Sequence, residues 1–505
     1  MKRNQQQHSL VPHPAKLKLL DGRFKLPTSL FVTVDPIFIP VYTTARLQFH
    51  KAGLNLEQST QQPQLILHQD PSLVHEAYTM SITPDLINLY AGNPPGMFHG
   101  LQTLCQLVLS CSSSSQMEIP CMDIHDRPEF TWRGCMLDCS RHFHTVSFIK
   151  KLLDTMALHH LNIFHWHLTD DQGWRLPIPG YPELTEIGAW RIDSRQTWQG
   201  KIGGYYERQE IDEIVQYALE RQITVVPEVD LPGHTSALLA ALPRFGCTGG
   251  PYKVEDRFGI FDDVLCAGNP ELDSFLDALF DTLAECFPGP YVHIGGDEVP
   301  TTRWESCPRC ATAVANLKLP APTALQSAFT QRLSQHLSKR GKTAVGWDEI
   351  LDGNDAGGIS KDTIVMSWRG KEGGTRAAQQ GLRFVMSPQD GGSYLNFKHL
   401  PDPDEPGHLD VTTIEQCIHA QVIPEGLPKA LHPLILGGQA NLWCELIRNG
   451  RIAEYMLFPR LCLLAEAFWT PDHTRSKNPI RERLEGLGNR LDRLGICRYR
   501  ETFIP

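Results

Sequence analysis

At 505 residues, 41% of them hydrophobic, the chain is too long for one small domain and suits one large α/β barrel with an accessory domain. A formal charge of −10 is modest for this length and the acids are scattered, which argues against nucleic acid or an anionic membrane as the main partner. No segment reaches the apolar length that spans a bilayer, so membrane insertion is not expected.

The N-terminus, MKRNQQQHSLVPHPAKLKLL, is basic, but LKLL is its only compact apolar stretch. No apolar core of a secretory leader follows the charges, so a cytoplasmic location is the expectation, with a trimmed secreted form as the alternative. The 14 cysteines are spread without a framework. Many, including Cys135, Cys139 and Cys462, sit in apolar runs that suit buried free thiols in a reducing compartment. One C-x-x-C exists, Cys307 to Cys310. No second C-x-x-C or Cys/His pair lies at metal-ligand spacing, so free thiols are expected there rather than zinc.

Along residues 1–125, the runs LFVTVD, PQLILH, YTMSIT and LINLYAG read as short strands. GMFHGLQTLCQLVLS reads as a helix, with CSSSSQ as the loop after it. A small α+β accessory domain is expected here. Over 126–475, eight strand-like runs appear: TWRGCMLDCS, LNIFHWHLTD, ITVVPEVD, YVHIGGDE, TAVGWDEI, TIVMSW, RFVMSP and LILGGQANLW. Amphipathic stretches such as VSFIKKLLDTMALHH and RQEIDEIVQYALERQ separate most of them. That alternation predicts a (β/α)8 barrel. Residues 476–505 are expected to form a helical tail packing on the barrel.

The C-terminal ends of these runs collect the unusual chemistry: Asp138 and Arg141, His165 to Asp171, Glu228 to His234, Asp297-Glu298, Trp347-Asp348, Trp368, Tyr394, and Trp443 with Glu445. In a barrel those ends converge on one mouth. Carboxylates beside tryptophans suit a sugar, whose apolar ring face packs on aromatic rings while charged groups bind its hydroxyls. Two other classes stay open on the residues alone. His165-Trp166-His167 with His234 resembles the ligand set of a metal-dependent amidohydrolase, although the later strand ends lack further ligand-type histidines. A non-catalytic amino-sugar-binding barrel would keep the tryptophans but has no need of Glu298.

Nine segments in order resemble glycoside hydrolase family 20, the β-N-acetylhexosaminidases: GMFHGLQTLCQL, RGCMLDCSRHF, NIFHWHLTDDQGWRL, VVPEVDLPGHT, HIGGDEV, GWDE, SW, SPQDGGSYLN and GGQANLWCE. The resemblance implies a retaining exo-enzyme removing terminal β-linked GlcNAc or GalNAc, with the substrate's own 2-acetamido oxygen as nucleophile and with no metal or cofactor. It implies Glu298 as general acid and base, and Asp297 as the acceptor of the acetamide N–H. Adjacent strand residues point to opposite faces, which would let these two neighbours address different parts of one sugar. Asp170 and His234 would form a relay behind Glu298, while Asp138 and Asp171 are expected to be structural. Tyr394 would bind the acetamide oxygen, and Trp347, Trp368 and Trp443 would wall the pocket. Arg141 and Glu445 would grip the hydroxyls at carbons 3 and 4. Many relatives read Tyr-Leu-Asp where this chain has Tyr394-Leu395-Asn396. The missing charge near carbon 6 implies tolerance of a sugar that is anionic there.

Overall fold

A computed structural model describes residues 8–111, 117–193, 200–352 and 359–501. The N-terminal part is a seven-stranded mixed sheet in the spatial order Lys16–Lys25, Glu118–Asp126, Tyr78–Ile82, Ile87–Ala91, Leu65–Gln69, Ser29–Val34, Asn55–Gln58. Two helices that pack on each other, Ile39–Lys51 and Pro94–Leu109, cover it. The four strands and the Pro94–Leu109 helix anticipated from pattern are present. Residues 112–116 of the anticipated CSSSSQ loop lie outside the described residues.

Three strands and one helix of this domain were not anticipated. Lys16–Lys25 is a sheet-edge strand whose side chains are mostly solvated, so it carries little alternation. The Ile39–Lys51 helix hides its period behind Pro40, Val41 and two threonines, which favour it weakly. Its buried Val41, Ala45 and Phe49 nevertheless recur every four residues.

Eight parallel strands follow: Trp132–Asp138, Ile163–Asp170, Thr224–Val229, Tyr291–His293, Thr343–Trp347, Ile364–Ser367, Arg383–Met386 and Ile435–Leu442. Each pairs with the next, and the eighth returns to the first, with Gly437 opposite Trp132 and Leu442 opposite Leu137. The sheet is a closed barrel. Every residue of the first two strands is buried, as expected where helices cover one face and barrel-filling side chains the other. Among the described residues no helix is long and apolar enough to cross a membrane.

The C-terminal helix Leu484–Arg493 was expected against the barrel, yet it reaches both parts of the molecule. Arg483 pairs with Glu466 of the last barrel helix, Arg460–Trp469, at 2.7 Å. Arg493 donates to the carbonyls of Leu109 (2.7 Å) and Cys111 (2.6 Å), closing the end of the Pro94–Leu109 helix, whose last carbonyls lack intrahelical partners. The tail straps the two parts together.

A second tie is Arg133 on the first barrel strand, fully buried, which forks onto both oxygens of Glu76 at 2.9 and 2.6 Å. Burial works against the Glu76 charge, but Arg133 and the His99 hydrogen bond outweigh it and hold the carboxyl well below its usual range. Removing one partner of such a pair strands the other, so Glu76→Gln is expected to cost about 3 kcal/mol at neutral pH. Because the folded value is depressed, that contribution is complete above the unfolded value of 4.5 and fades as pH falls toward the folded one. Urea unfolding of wild type and variant at pH 7 and pH 3 reads both; a gap that does not narrow at pH 3 contradicts the ion-pair account.

Candidate active site

The turn after the fourth strand explains the sequence HIGGDEV. The strand ends at His293, and Gly295 and Gly296 follow with φ of +66° and +91°. A Cβ on Gly295 would stand 1.7 Å from Asp230 Oδ1, so only glycine admits Asp230 of the third loop here. Gly296 N–H then donates to that same oxygen at 3.1 Å. Asp297 and Glu298 therefore lie beyond the strand, and strand alternation does not separate them. Glu298 itself sits at φ +48°, a conformation uncommon for a residue with a side chain. Asp297 is turned inward, 8% exposed, whereas the Glu298 side chain is 34% exposed.

His234, also left-handed at φ +49°, faces both acids. Its Nε2 lies 3.4 Å from Glu298 Oε2 and 3.9 Å from Asp297 Oδ2. Its Nδ1 lies 2.9 Å from Asp171 Oδ2 and 3.4 Å from Asp170 Oδ1. Asp171, expected to be structural, is thus the nearer carboxylate, because Asp170 turns its other oxygen to His167 and Arg141, each at 2.9 Å. Burial opposes a charge on His234, but Asp170 and the hydrogen bonds to Asp170, Asp171 and Glu298 raise its pKa well above the ordinary value. A cationic ring links the two pairs of acids.

Asp230 and Asp297 form a buried carboxylate pair. Asp230 Oδ2 and Asp297 Oδ1 are both enclosed, and no N–H or hydroxyl donates to either. One proton shared between them satisfies both. Burial and then the Asp297 charge raise Asp230 well above its ordinary value. Burial, Glu228 and Glu298 raise Asp297 as well, but His234 and a hydrogen bond from Asp230 oppose them, so of the two it is Asp230 that is pushed further toward the protonated form. Glu349 feels the same crowding of acids, its carboxyl pushed up to about 8 by burial, then by Asp297 and Asp348.

These groups open into a cavity of ≈ 270 Å³ lined by Arg141, His234, Asp297, Glu298, Trp347, Trp368, Tyr394, Asn396, Trp443 and Glu445, together with Gln389, Phe397, His408 and Asp410. Ten of the eleven residues singled out from sequence reach it. Asp170 stands behind it. Trp368 and Tyr394 stack at 6.3 Å with an 11° tilt, and Trp347 and Trp443 meet at 5.7 Å. Burial keeps the Tyr394 phenol neutral, its pKa well above the ordinary value, so it remains a donor. Arg141 lies over Trp443 at 5.0 Å and is held by Asp138, Gln172 and Asp170. Asp138 accepts from the amides of Ser140, Arg141 and Cys444 as well, so it fixes Arg141 and stays out of the cavity.

The four further lining residues all belong to the excursion between the seventh and eighth barrel strands. His408 and Asp410 belong to a strand, His408–Val411, inside the excursion after the seventh barrel strand, where PDPDEPGHLDV reads only as a polar loop. Asp410, exposed, brings a carboxylate to the same cavity as Asn396. The histidines of the amidohydrolase reading lie elsewhere. His165 and His167 point into the barrel interior at Glu228, whose Oε1 accepts from Trp347 Nε1 at 2.9 Å and lies 2.9 Å from His293 Nδ1. His165 Nδ1 is taken by the Gln439 amide at 2.9 Å and His167 by Glu228 and Asp170; neither ring lines the cavity, and His234 does not join them.

Two family models match the chain: the glycosyl hydrolase family 20 catalytic domain over residues 130–472 and that family's domain 2 over residues 7–127. The chain belongs to glycosyl hydrolase family 20. It is 39% identical to a beta-hexosaminidase of Porphyromonas gingivalis over 97% of this chain, and spans 64% of that relative's length. It is 35% identical to a beta-hexosaminidase of Vibrio furnissii, covering 90% of this chain and 76% of the relative. Among solved structures, the exo beta-N-acetylglucosaminidase of Vibrio harveyi in complex with N-acetylglucosamine superposes with a TM-score of 0.89, at 33% identity, covering 98% of this chain and 78% of that one. A mutant Streptomyces plicatus beta-hexosaminidase in complex with product GlcNAc gives 0.86, at 29% identity, covering 98% and 97%.

The carboxylate pair makes a prediction about stability. Holding Asp230 protonated costs the fold ~1.4 kcal/mol for each unit that its pKa stands above the unfolded one. The folded value is raised, so that cost is absent below the unfolded value of 3.8 and grows as pH rises from there. Asp230→Asn keeps the donor to Asp297 and removes the cost, so the variant should match wild type near pH 3 and melt higher at pH 7. An equal or lower Tm at pH 7 contradicts a shared proton.

Proposed function

We propose that the chain is a retaining exo-β-N-acetylhexosaminidase that removes terminal β-linked GlcNAc or GalNAc, with the substrate's acetamide as nucleophile. The observation that carries this reading is the buried Asp297 beside the half-buried Glu298, both at the cavity and both facing His234. An anion at that depth suits the amide N–H and the positive charge of an oxazolinium-like intermediate. The carboxylates that could replace the acetamide as nucleophile are withheld. Asp230 is 1% exposed, and Asp348 is fully buried, accepting from the amides of Trp368 and Arg369. Neither lines the cavity.

In this reading the acetamide oxygen attacks the anomeric carbon as the glycosidic bond breaks, and Glu298 gives its proton to the leaving oxygen. Asp297 accepts the acetamide N–H, and Tyr394 donates to the attacking oxygen, orienting it. Glu298 then takes a proton from water, which opens the intermediate from the face the leaving group left, retaining the β configuration. His234, anchored by Asp171 and Asp170, supports Glu298 through both proton transfers. Arg141 and Glu445 bind ring hydroxyls, and the three tryptophans enclose the sugar. Trp347 and Trp443 close the pocket from below, which supports removal of end sugars. The exo beta-N-acetylglucosaminidase of Vibrio harveyi, solved in complex with N-acetylglucosamine, supports that sugar as a recognised unit.

Glu298→Gln should cut turnover of a natural disaccharide by about 100-fold or more, and that of an aryl glycoside with a good leaving group by much less, since little protonation is needed there. Equal losses on both substrates remove Glu298 from this role. Aryl β-glucosides, which lack the acetamide, should be inert; ready hydrolysis of them would point to a protein nucleophile and sink the proposal. The charge of Asp410 gives a further expectation. Like charges in the pocket cost roughly 1–4 kcal/mol at about 4 Å. Asp410→Asn should therefore raise kcat/KM for a 6-sulfated aryl GlcNAc about tenfold relative to the unsulfated sugar. An unchanged ratio means Asp410 does not face carbon 6.

A further inference from the structure

Cys247, Cys266, Cys307 and Cys310 converge although they come from two different loops. Cys247 and Cys266 belong to the loop between the third barrel strand and the helix Leu272–Cys286. Cys307 caps the helix Pro308–Asn316 in the loop after the fourth strand, and Cys310 lies in that helix's first turn. Their sulfur atoms all lie within 4.8 Å of one another. The Cys266–Cys307 and Cys266–Cys310 separations are 3.7 Å, and Cys247–Cys310 is 3.9 Å.

Those distances are not the geometry of paired half-cystines, whose sulfurs sit about 2.05 Å apart. Two disulfides would give two short separations and leave the rest long. Here Cys266 and Cys310 each hold two sulfur neighbours at one common distance, as the corners of a polyhedron do. Zinc binds thiolate sulfur at about 2.3 Å, and four sulfurs placed tetrahedrally at that radius stand about 3.8 Å apart. The observed separations match that edge.

The surroundings fit a thiolate cluster. Three of the four cysteines are buried, among Val264, Trp304 and Leu325. A dry pocket of four thiols would carry two net negative charges once four thiolates hold a divalent cation, and compensating donors are present. The Gly268 backbone stands against Arg309 and Cys310, and the Arg309 side chain next to Cys307 and Cys310 is fixed by Nη2 on the Gly246 carbonyl at 2.7 Å, a cation and an amide beside the thiols. A Cβ on Gly268 would stand 2.2 Å from the Arg309 carbonyl, so the two loops meet backbone to backbone at the cluster. Among the described residues the other ten cysteines form no such group.

We propose that these four cysteines hold a structural zinc ion that staples the third and fourth barrel loops together. Sequence spacing argued for free thiols because Cys247 and Cys266 stand 18 residues apart between them and lie far from the C-x-x-C. The missing half of the ligand set is assembled only by the barrel. Four protein ligands leave no open position, so the ion takes no part in chemistry. None of the four cysteines lines the cavity. Its effect is positional: the stapled loops carry His234 and Glu298, both left-handed, and Val299, next to Glu298, packs on the apolar cluster of Val264, Trp304 and Leu325 that includes Cys266, Cys307 and Cys310. Folding the ion in releases the thiol protons, so loading falls as pH drops.

The test is metal analysis of the full-length protein purified without chelator, which should give one zinc per chain. Organomercurial titration in the folded state should release that zinc in step with thiol modification. Cobalt(II) taken up in its place should show the intense visible bands of a tetrahedral tetrathiolate. Cys266→Ser should lose the ion and melt lower. Cys111→Ser and Cys497→Ser, outside the cluster, should keep it. If Cys266→Ser does not fold, the wild-type metal content and cobalt spectrum still decide. Wild-type protein without stoichiometric zinc, whether its thiols are free or oxidised to disulfides, overturns the proposal, as does zinc retained in full by Cys266→Ser. Neither outcome bears on the hexosaminidase reading, which needs no metal.

Discussion

Glu228 sits at zero exposure in the middle of the barrel, and its charge organises what lies above it. Burial would neutralise it, but His167, His293 and His165 hold it ionised, well below the ordinary range. In turn His167 is driven well above its own ordinary value, burial notwithstanding, by Glu228 and Asp170. From that ion pair two lines of contact rise to the cavity. One runs from His167 to Asp170 and on to Arg141, at 2.9 Å per step, and fixes the guanidinium against Trp443. The other runs from Glu228 to the Trp347 indole N–H and sets the pocket floor. Isolated, a buried carboxylate would be costly; hydrogen-bonded by His167 and Trp347, with His165 and His293 also against it, it becomes a rigid foundation.

The same field tunes the acids above. Glu228 adds to the negative potential at Asp230 and Asp297, so a site with three carboxylates in reach cannot ionise them all. Protonation of Asp230 eases the conflict at Asp297, the one carboxylate of that pair that reaches the cavity. Left-handed backbone at His234 and Glu298 stores strain where the two loops meet. A side chain at Gly295 would abolish the approach of Asp230, and Val299 packs on the apolar cluster that contains three of the cysteines. Strain of this kind persists only where packing over-determines it.

Barrel strands were legible because a parallel sheet buried on both faces writes continuous apolar runs, and because strand ends in such a barrel share one mouth. That logic placed Arg141, Trp347, Trp368, Trp443 and Glu298 together. It failed where position depends on a turn. Asp297 and Glu298 were read as pleated neighbours, whereas left-handed φ values separate them. Asp171 was passed over for Asp170 because one residue of sequence does not reveal which carboxylate a distant histidine faces. His408 and Asp410 arrive on a long excursion without periodicity, and Cys247 and Cys266 meet Cys307 and Cys310 only after two loops fold over each other. Loop geometry and long-range electrostatics are tertiary quantities, and a linear pattern carries little of either.

The central claim is that the substrate's acetamide, held by Asp297 and Tyr394, is the nucleophile. Its most direct measurement is kcat/KM for aryl glucosaminides sharing one leaving group and carrying N-acetyl, N-fluoroacetyl, N-difluoroacetyl and N-trifluoroacetyl groups. Each fluorine withdraws electrons from the carbonyl oxygen while changing size little, so nucleophilic attack by that oxygen weakens stepwise. The account predicts a steep, progressive fall across the series. A flat series would mean that the amide oxygen forms no bond in the transition state and that a group of the protein attacks instead.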